Sequence, residues 1–484
     1  MSETLAGYAL RDMLAAWLPS QRWFPGRGAT VSELDIVSDV TLLDGDPQLR
    51  HLVVEAEHGA GLARFQVLLG CRGQLPPAIA PGAVLGLTPG LAVYDGLHDP
   101  ELAAVLLQGI AAGRQAGPLR FVREPAARLG DWHGSRLMTA EQSNTSMVFG
   151  EAAIMKVLRR LFPGANPDLE VADALARLGS ARVAAPYGWI ETVIDGEPVL
   201  LAVLSEYLAQ ASDGWTMATR SLGRLYARQG AYGQEYLTAP VAADQAASDQ
   251  AASDQRVPDQ AVRDQVGGKL PFVGEARELG VATAQMHAEL ATAFGTRQMT
   301  GAELASLSGA LTYKLAEAVA LVPELGVYAP RIAAAYEEVA AIREPVAVQR
   351  IHGDYHLGQV LYSQHGWVAL DFEGEPAAPL SQRRALAPAM RDVAGMLRSF
   401  DYAARHQLVG HSQRSELAAA AGAWVQQCEE AFRAGYAAGG GADPSHQATL
   451  LRALTLEKAV YEVIYEYRHR PDWGSIPLDY VAAA

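Results

Sequence analysis

The sequence has few of the features expected of a secreted, membrane-bound or nucleic-acid-binding protein. Its 484 residues include only two cysteines, Cys71 and Cys428, too few for a disulfide framework, which indicates a reducing compartment. No run of eighteen apolar residues occurs, and the N-terminus lacks the basic and apolar regions of a signal peptide. Basic residues are also scarce, because 39 Lys and Arg stand against 54 Asp and Glu. The formal net charge of −15 argues against a nucleic acid or an anionic membrane as partner, so we expect a cytoplasmic protein that acts on small molecules.

The chain has enough apolar material for two or three lobes, since 50% of its residues are hydrophobic. Residues 1–130 alternate strand-like runs with Gly and Pro turns and predict a β-rich subdomain that begins with a helix. Residues 131–205 predict a second strand-rich subdomain with one helix near 168–178. Residues 206–484 are predicted to be helical apart from one hairpin. The predicted fold class is α+β, with the β-rich part ahead of the helical part.

A segment at about residues 240–267 differs from the rest of the chain. Asp-Gln recurs there with a period of five, at 244–245, 249–250, 254–255, 259–260 and 264–265. This period matches neither a helix face nor a strand face, and the segment has too few large apolar groups to offset the entropy of ordering. We interpret it as a disordered surface insertion.

The most informative stretch, Ile351 to Glu373, contains two carboxylates on either side of a predicted hairpin. Strands are predicted at 359–362 and 367–372, with a turn between them. Asp354 precedes the first strand and Asp371 lies near the end of the second. Because antiparallel strands bring these positions to one end of the hairpin, the pair suits phosphoryl transfer. Asp354 would orient and deprotonate an acceptor hydroxyl, while Gln359 and Asp371 would hold Mg²⁺ on the nucleotide phosphates.

Two histidines flank the predicted catalytic aspartate. A His-x-Asp-x-His run is also a conceivable zinc motif, but its spacing does not match a helical pair of histidines and no cysteine is close. We interpret His352 as a brace for the loop and as a candidate substrate contact. His356 is expected to pack beneath the loop.

The phosphate side of the site is predicted around residues 143–170. Ser143, Asn144, Thr145 and Ser146 form a polar turn ahead of a strand and would offer N–H groups and hydroxyls to phosphate, although such residues are also common turn formers. Lys156 lies in an otherwise apolar strand. We expect it on the α- and β-phosphates, held by Glu170 of the next helix, and a solvent-facing position is the alternative.

The adenine side is predicted where the chain passes from strands to helices. Glu206 and Tyr207 lie at that transition, and an extended connector there would hydrogen-bond adenine through its backbone. The prediction rests on position, because main-chain recognition leaves little side-chain signature.

The acceptor side is predicted on the last long helix, which combines aromatic and charged residues at helical spacing. Charged groups would bind sugar hydroxyls and aromatic rings would cover the apolar face of a pyranose. An amphipathic helix with salt-bridged turns is the alternative for part of the set. The candidate sugar contacts are Lys458, Tyr461, Glu462, Tyr465, Glu466 and Trp473.

These segments resemble those of actinobacterial maltokinases, within the aminoglycoside phosphotransferase-like kinases. The resemblance is carried by QRWF near Arg22, AEQSNTS at 140–146, LRRLFPGANPDLEV at 158–171, EYLAQASDGW at 206–215, IHGDYHLGQVL, DFEGEP, RDVAGMLRSFDYAA, and KAVYEVIYEYRHRPDW at 458–473. It implies a bilobal protein-kinase-like fold with an N-terminal cap subdomain and a nucleotide between the lobes. It also supports the roles of Lys156 and Glu170, and implies that Arg391-Asp392 orders the catalytic loop.

The activity that the resemblance implies is ATP-dependent, Mg²⁺-dependent phosphorylation of maltose at its anomeric hydroxyl, feeding α-glucan (glycogen-type) synthesis. Whether the enzyme is a monomer or a homodimer, and whether it associates with a trehalose-processing enzyme, stays open. Related kinases act on glucosamine or on aminoglycosides, and the acidic charge would suit such cations. The chain also departs from the maltokinase pattern, because Leu386-Ala387-Pro388-Ala389-Met390 stands where a Pro-Asp-Ser-Pro-Leu run is usual.

An alternative from another class is a pseudokinase-like binding or scaffold protein. Such a protein needs no phosphate-binding lysine and no metal-binding residues. The presence of Lys156, Asp354, Gln359 and Asp371 favours an enzyme.

Overall fold

The computed structural model describes residues 3–25, 30–59, 61–88, 90–130, 132, 134–138, 144–228, 270–375, 378–411 and 414–484. Ser143 and the predicted insertion at 240–267 lie outside these residues. The described chain forms two units: the first runs to Asp173 and includes Ala184–Ala209, and the second includes Ala174–Val183 and the described residues from Gln210 onward. The three predicted domains, 1–130, 131–205 and 206–484, stay predictions.

The first unit begins with a helix and an antiparallel sheet. Helix α1 (Glu3–Trp17) is followed by β1 (Glu33–Leu43), β2 (Gln48–His58), β3 (Gly61–Arg72), β4 (Val84–Thr88) and β5 (Leu91–Asp95), in the sheet order β1-β2-β3-β5-β4. One hydrophobic core joins α1 to this sheet and includes Leu14, Trp17, Trp23, Phe24 and Phe65. The Trp-Phe pair of the QRWF motif is therefore part of the core.

A second antiparallel sheet follows along the chain. The elements in this part of the chain are α2 (Pro100–Ala112), β6 (Gln115–Ala116), β7 (Leu119–Arg123), β8 (Ser135–Leu137), β9 (Asn144–Phe149), β10 (Ala153–Leu158), β11 (Arg160–Leu161), α3 (Pro167–Arg177), β12 (Pro186–Ile194) and β13 (Glu197–Glu206). The sheet order is β6-β7-β12-β13-β10-β9-β8, and β11 pairs with β3 of the first sheet. Strand β10 is buried along its length except at Lys156, as expected for a strand covered on both faces.

A buried polar pair connects the two sheets of this unit. Gln66 of β3 donates its side-chain amide to the carbonyls of Leu158 and Leu201, which belong to β10 and β13. Its Oε1 lies 3.0 Å from Nε2 of His51 on β2. Burial lowers the pKa of His51 from 6.5 to about 4, although the contact with Gln66 opposes the shift. His51 is therefore neutral in the folded protein near neutral pH.

This neutral histidine predicts a loss of stability in acid. As the pH falls through 6.5, His51 takes up a proton in the unfolded chain, whereas in the folded protein it stays neutral until about 4. The free energy of unfolding should fall over that pH window, and the decrease caused by His51 should be about 3 kcal/mol. Urea unfolding of wild type and His51→Gln from about pH 7 to about pH 4 measures it. Equal pH dependence in both proteins would contradict this assignment.

The second unit is predominantly helical. It comprises β14 (Ser212–Asp213), α4 (Gly214–Arg228), α5 (Val273–Phe294), β15 (Thr296–Gln298), α6 (Gly301–Leu321), α7 (Ala329–Ala340), β16 (Ala347–Gln349), β17 (Val360–Ser363), β18 (Gly366–Ala369), α8 (Leu380–Arg383), α9 (Met390–His406), α10 (Arg414–Ala438), α11 (Ala448–His469) and α12 (Ser475–Ala483). The predicted α+β class, with antiparallel sheets ahead of a mostly helical region, is confirmed. No helix among the described residues has the length and apolarity to cross a membrane.

Helices α5 and α10 pack at unusually short range in this unit. A Cβ on Gly280 would lie 2.1 Å from the carbonyl oxygen of Phe432, and a Cβ on Gly435 would lie 2.0 Å from that of Arg277. Glycine is required at both positions because any side chain would clash with backbone. The two helices hold His287 of α5 beside Tyr436 of α10, which matters for the catalytic loop.

Candidate active site

A buried carboxylate on α9 fixes the loop that carries Asp354. Asp392 accepts hydrogen bonds from the backbone N–H groups of His352 at 2.8 Å and Gly353 at 2.9 Å. Its Oδ2 lies 3.0 Å from Nε2 of His287, whose Nδ1 lies 2.8 Å from the hydroxyl of Tyr436. Burial opposes ionisation of Asp392, but His287 and the loop N–H group lower its pKa. Asp392 therefore orders the loop, as the resemblance implied.

The other member of the Arg391-Asp392 pair has a different partner. Arg391 contacts Glu457 of α11 at 2.8 Å. Glu457 also binds Lys314 of α6, so this ion pair joins three helices. Arg391 is thus bonded to α11, and Asp392 is the residue that holds the loop.

The predicted hairpin is present, with shifted boundaries. Strands β17 and β18 are antiparallel, and Val360 pairs with Ala369. Gln359 does not begin the strand as predicted but ends a 3₁₀ turn, Leu357–Gln359. His356 caps this turn because its Nδ1 accepts from the N–H of Gly358 at 3.0 Å. Asp371 follows the end of β18.

His352 is a brace between the loop and the hairpin. It is 1% exposed, its Nε2 lies 2.7 Å from the carbonyl oxygen of Leu370, and its Nδ1 accepts from the N–H of Asp354 at 3.3 Å. Both ring nitrogens are therefore occupied within the protein. This corrects the expectation that His352 also contacts substrate. With both nitrogens in hydrogen bonds, His352 also has none left to bind zinc.

Gln359 and Asp371 form a pair of oxygen donors. The Gln359 amide nitrogen donates to Oδ2 of Asp371 at 3.3 Å, and its Oε1 is buried without a hydrogen-bond partner among the described residues. Asp371 has a φ of 61°, a left-handed conformation that costs energy outside glycine and marks functional sites. An unsatisfied buried amide oxygen beside a carboxylate fits a hard divalent cation such as Mg²⁺.

Asp354 forms an ion pair with Lys458 of α11. Lys458 Nζ donates to Oδ1 of Asp354 at 2.9 Å and lies 3.6 Å from Oε2 of Glu375. Burial opposes ionisation of Asp354, but Lys458 and His356 lower its pKa to about 2. Tyr461 completes the cluster, because its hydroxyl hydrogen-bonds Glu375 and its ring lies 5.1 Å from the ammonium. Asp354 is thus ionised throughout the neutral range.

His356 faces the same carboxylate without bonding it. Its Nε2 lies 4.0 Å from Oδ2 of Asp354. Burial lowers the pKa of His356 to about 4, although Asp354 opposes the shift. The ring is neutral near pH 7, and because Nδ1 accepts from Gly358, its proton lies on Nε2.

The two glutamates of the predicted sugar set are bonded to other side chains of the protein. Glu462 accepts from Arg398 of α9, and Glu466 accepts from Tyr402 and Arg470. Glu466 is 1% exposed, so the structure corrects its predicted sugar contact: it is an internal residue. Only Lys458 and Tyr461 are brought beside Asp354.

Tyr465 and Trp473 of the set are half-buried and contact neighbouring side chains. The Tyr465 and His469 ring centroids are 4.5 Å apart, and the guanidinium carbon of Arg470 lies 5.3 Å from the centroid of the Tyr465 ring. Trp473 has Arg470 at 4.4 Å and lies 6.0 Å from Tyr402. The stacking of a pyranose on these rings stays a prediction.

The predicted phosphate turn is part of a strand. Asn144, Thr145 and Ser146 are the first residues of β9, and Ser146 pairs with Lys156 of β10. Ser146 is 1% exposed, and Thr145 accepts from Arg159 at 2.8 Å. The burial of the Ser146 hydroxyl corrects its predicted contact with phosphate, whereas the role of Thr145, which is half-buried, stays a prediction.

Lys156 and Glu170 occupy the predicted elements of the first unit. Lys156 is half-buried in β10, and Glu170 is half-buried in the first turn of α3. Asn166 caps that helix by accepting from the N–H of Leu169 at 3.0 Å. The roles of Lys156 and Glu170 stay predictions.

The backbone at the predicted adenine site is partly engaged. The N–H of Glu206 donates to Ala185 and the N–H of Tyr207 donates to Ala152, at 2.9 and 3.0 Å. Neither N–H can therefore bind adenine in this conformation, which corrects the prediction in part. The carbonyl groups of this segment stay candidates for the adenine contact.

The chain is similar to known sugar kinases in sequence. Residues 17–99 match the maltokinase N-terminal cap domain. The chain is 32% identical over 394 residues to a glucosamine kinase of Streptacidiphilus jiangxiensis, covering 79% of this chain and 80% of the relative. The chain belongs to this family of sugar kinases. A second relative, a glucosamine kinase of Mycolicibacterium smegmatis, is 29% identical over 355 residues, covering 71% and 78% of the two chains.

The solved structures extend the match to almost the whole sugar kinase. A glucosamine kinase in complex with glucosamine, ADP and inorganic phosphate superposes with a TM-score of 0.62 at 26% identity, covering 96% of this chain and 97% of that chain. The kinase family and the kinase fold that the sequence indicated are thereby confirmed. Binding of ATP and Mg²⁺ by this chain stays a prediction. The cytoplasmic location, the oligomeric state and a trehalose-processing partner stay predictions.

Two residues of the kinase site were not identified from the sequence. Glu375 was quoted only as part of DFEGEP, although its position four residues after Asp371 places a carboxylate near the site. Arg398 was quoted only within RDVAGMLRSFDYAA, and its contact with Glu462 joins α9 to α11. A charged residue on the apolar side of an amphipathic helix was the available signal for Arg398.

Proposed function

We propose that this sugar kinase phosphorylates maltose at its anomeric hydroxyl with ATP, giving maltose 1-phosphate and ADP. The observation that carries the proposal is the ammonium of Lys458, 2.9 Å from Asp354. A positive charge already occupies the acceptor side of the catalytic carboxylate. A neutral sugar is compatible with that charge, whereas an amino sugar would bring a second one.

The charge balance supports the neutral acceptor. The ammonium of Lys458 lies between two carboxylates, Asp354 and Glu375. In the proposed reaction, Asp354 binds the acceptor hydroxyl, which leaves Glu375 as the partner of Lys458. No uncommitted carboxylate then faces a substrate ammonium among the described neighbours of Lys458. Two ammonium groups about 4 Å apart repel by about 4 kcal/mol at an effective dielectric constant of about 20. Such a cost would disfavour glucosamine if its amino group lay beside Lys458.

In the proposed mechanism, Asp354 acts chiefly by orientation. Its carboxylate accepts the hydrogen bond of the 1-hydroxyl and directs that oxygen toward the γ-phosphate. Because its pKa is about 2, it is a weak base, so it takes the proton late in the transfer. Positioning and charge neutralisation supply most of the acceleration in phosphoryl transfer, and no covalent intermediate is required.

The metal would be held by Gln359 and Asp371. The unsatisfied Oε1 of Gln359 and the Asp371 carboxylate supply two oxygen ligands. Mg²⁺, when bound, would neutralise charge on the nucleotide phosphates. His352 would help to position Asp371, because its hydrogen bond to the carbonyl of Leu370 fixes the preceding residue.

Nucleotide contacts are proposed from the first unit. Lys156 would bind the α- and β-phosphates from β10, with Glu170 as its partner. The backbone of Asn144 would bind phosphate in place of the buried hydroxyl of Ser146. The carbonyl of Glu206 would accept from the adenine amino group.

Glucosamine is the second candidate acceptor. It is favoured by the curated relatives, which are glucosamine kinases and match more than two thirds of this chain. Under this alternative, Asp354, Gln359 and Asp371 keep their roles, and Glu375 would bind the substrate amino group after displacement from Lys458.

An acceptor screen tests the proposal. With ATP and Mg²⁺, we expect ADP release with maltose, a lower kcat/KM with glucose, glucosamine and kanamycin, and none with trehalose, whose anomeric hydroxyls are both blocked. Phosphorus NMR of the product should place phosphate on C1. Phosphate on C6, or a higher kcat/KM for glucosamine, would reject maltose and support the amino-sugar kinase.

A Lys458→Gln variant is the matched control for the charge argument. It removes the ammonium and keeps a polar side chain of similar length. The ratio of kcat/KM for maltose to that for glucosamine should fall on the order of tenfold, about 1.4 kcal/mol of discrimination. An unchanged ratio would show that Lys458 does not set the preference.

A further inference from the structure

A buried arginine on α9 has no direct place in the chemistry proposed above. Arg398 is 1% exposed, and its Nε and Nη2 donate to Oε2 of Glu462 at 3.1 and 2.5 Å. Its Nη1 donates to Oδ2 of Asp401 at 2.9 Å. The ring of Tyr480, on α12, lies 3.9 Å from the guanidinium carbon. Arg398 thus contacts residues of three helices, α9, α11 and α12, inside the protein.

Arg398 is connected to Asp354 indirectly, through Glu462 and Lys458 on one turn of α11. Glu462 lies four residues after Lys458, so the two side chains share one helix face. Burial raises the pKa of Glu462, and Arg398 opposes that rise. The Glu462 charge in turn favours the ammonium of Lys458, which is bonded to Asp354. A chain of alternating charges therefore runs from Arg398 to the catalytic carboxylate.

Helix α9 also holds the other side of the same site. Asp392, six residues before Arg398, fixes the loop that carries Asp354. One rigid helix is thus bonded both to the catalytic loop and to the helix that bears Lys458. The relative position of Asp354 and Lys458 depends on both anchors.

We propose that Arg398 is a positioning residue for the sugar acceptor, which fixes Glu462 and through it the Lys458 ammonium against Asp354. The proposal rests on the function proposed above, because it assigns the acceptor to the Lys458 side of Asp354. It predicts an effect on sugar use and none on nucleotide binding. It also predicts that the effect of Arg398 requires Glu462.

A double-mutant cycle tests the dependence. Arg398→Gln should lower kcat/KM for the sugar on the order of tenfold, with the KM for ATP unchanged. In a Glu462→Gln background the same substitution should change kcat/KM little, because its partner charge is already gone. Thermal unfolding of each variant separates this from loss of fold, and Arg398→Lys, which keeps the charge, should recover part of the activity.

Arg405→Gln is the matched control. Arg405 lies on the same helix and donates to the same Asp401 at 2.6 Å, whereas Glu462 accepts from Arg398. The substitution removes a charge beside Asp401 but leaves the bond between Arg398 and Glu462, so it should leave the kcat/KM for the sugar within about twofold of wild type. The proposal is overturned if Arg398→Gln lowers the kcat/KM for the sugar no more than Arg405→Gln does, or if it changes the KM for ATP and for the sugar equally. It is also overturned if the fold-loss in the double mutant equals the product of the losses caused by Arg398→Gln and Glu462→Gln alone.

Failure of this inference is distinguishable from failure of the proposed function. Wild-type turnover is measured first with maltose and with glucosamine. A wild type that uses only glucosamine rejects the proposed substrate, and the cycle is then measured with glucosamine. A wild type that uses neither sugar rejects the proposed function, and with it the positioning role of Arg398.

Discussion

Asp354→Asn should reduce turnover on the order of 10²- to 10⁴-fold while leaving ATP binding close to that of wild type. The amide keeps the shape of the side chain but cannot accept the hydroxyl proton. It also loses the negative charge that pairs with Lys458 at 2.9 Å. ADP release with saturating sugar measures the loss, and calorimetry with ATP and Mg²⁺ measures nucleotide binding.

The matched control is another aspartate of the same unit. Asp443→Asn changes an exposed carboxylate that caps a short turn and accepts from Ser445 at 2.9 Å. It should leave turnover unchanged. An Asp354→Asn protein that keeps a third of the wild-type rate would refute the catalytic assignment.

Asp371→Ala should raise the Mg²⁺ and ATP requirements together, because metal and nucleotide bind as one unit. We expect the Kd for ATP in the presence of Mg²⁺ to rise by at least 10- to 100-fold, roughly the loss seen when even an outer partner of a metal ligand is mutated. Calorimetric titrations at low and high Mg²⁺ measure the change. With Mg²⁺ chelated, the variant and wild type should bind ATP alike.

The left-handed backbone at Asp371 requires a second variant. With φ at 61°, Ala adds strain that has nothing to do with a metal. Asp371→Gly removes the carboxylate without that strain and should show the same Mg²⁺ dependence. If Gly restores wild-type ATP binding while Ala does not, Asp371 holds the backbone rather than the metal.

The sequence was most informative where function depends on residues close together in the chain. The loop around Asp354 and the hairpin with Asp371 were predicted from the local pattern of residues 351–373, and the structure brings both ends of the hairpin together as expected. Boundaries were less accurate. Gln359 belongs to a 3₁₀ turn rather than a strand because the His356 ring caps that turn, a side-chain contact that periodicity does not report.

The predicted acceptor and nucleotide contacts were less accurate because helix and strand faces are chosen by distant partners. Glu462 and Glu466 have the spacing of a ligand-binding face, yet Arg398, Tyr402 and Arg470 take up their carboxylates. Ser146 has the composition of a phosphate turn, yet β9 turns it inward. Spacing shows which residues share a face, but not what covers it.

The sequence by itself determined the α+β class and the kinase family, and it predicted the catalytic loop, the metal-binding pair and the strand lysine. These depend on local patterns in which residue type and spacing already specify the chemistry. Only the tertiary structure decided that Lys458 bonds Asp354, that Asp392 and Arg398 bond the Asp354 loop and α11 from one helix, and that His352 is internal. Those contacts join residues 39 to 104 positions apart, and the burial that sets their charge and pKa exists only after α9 and α11 have packed together.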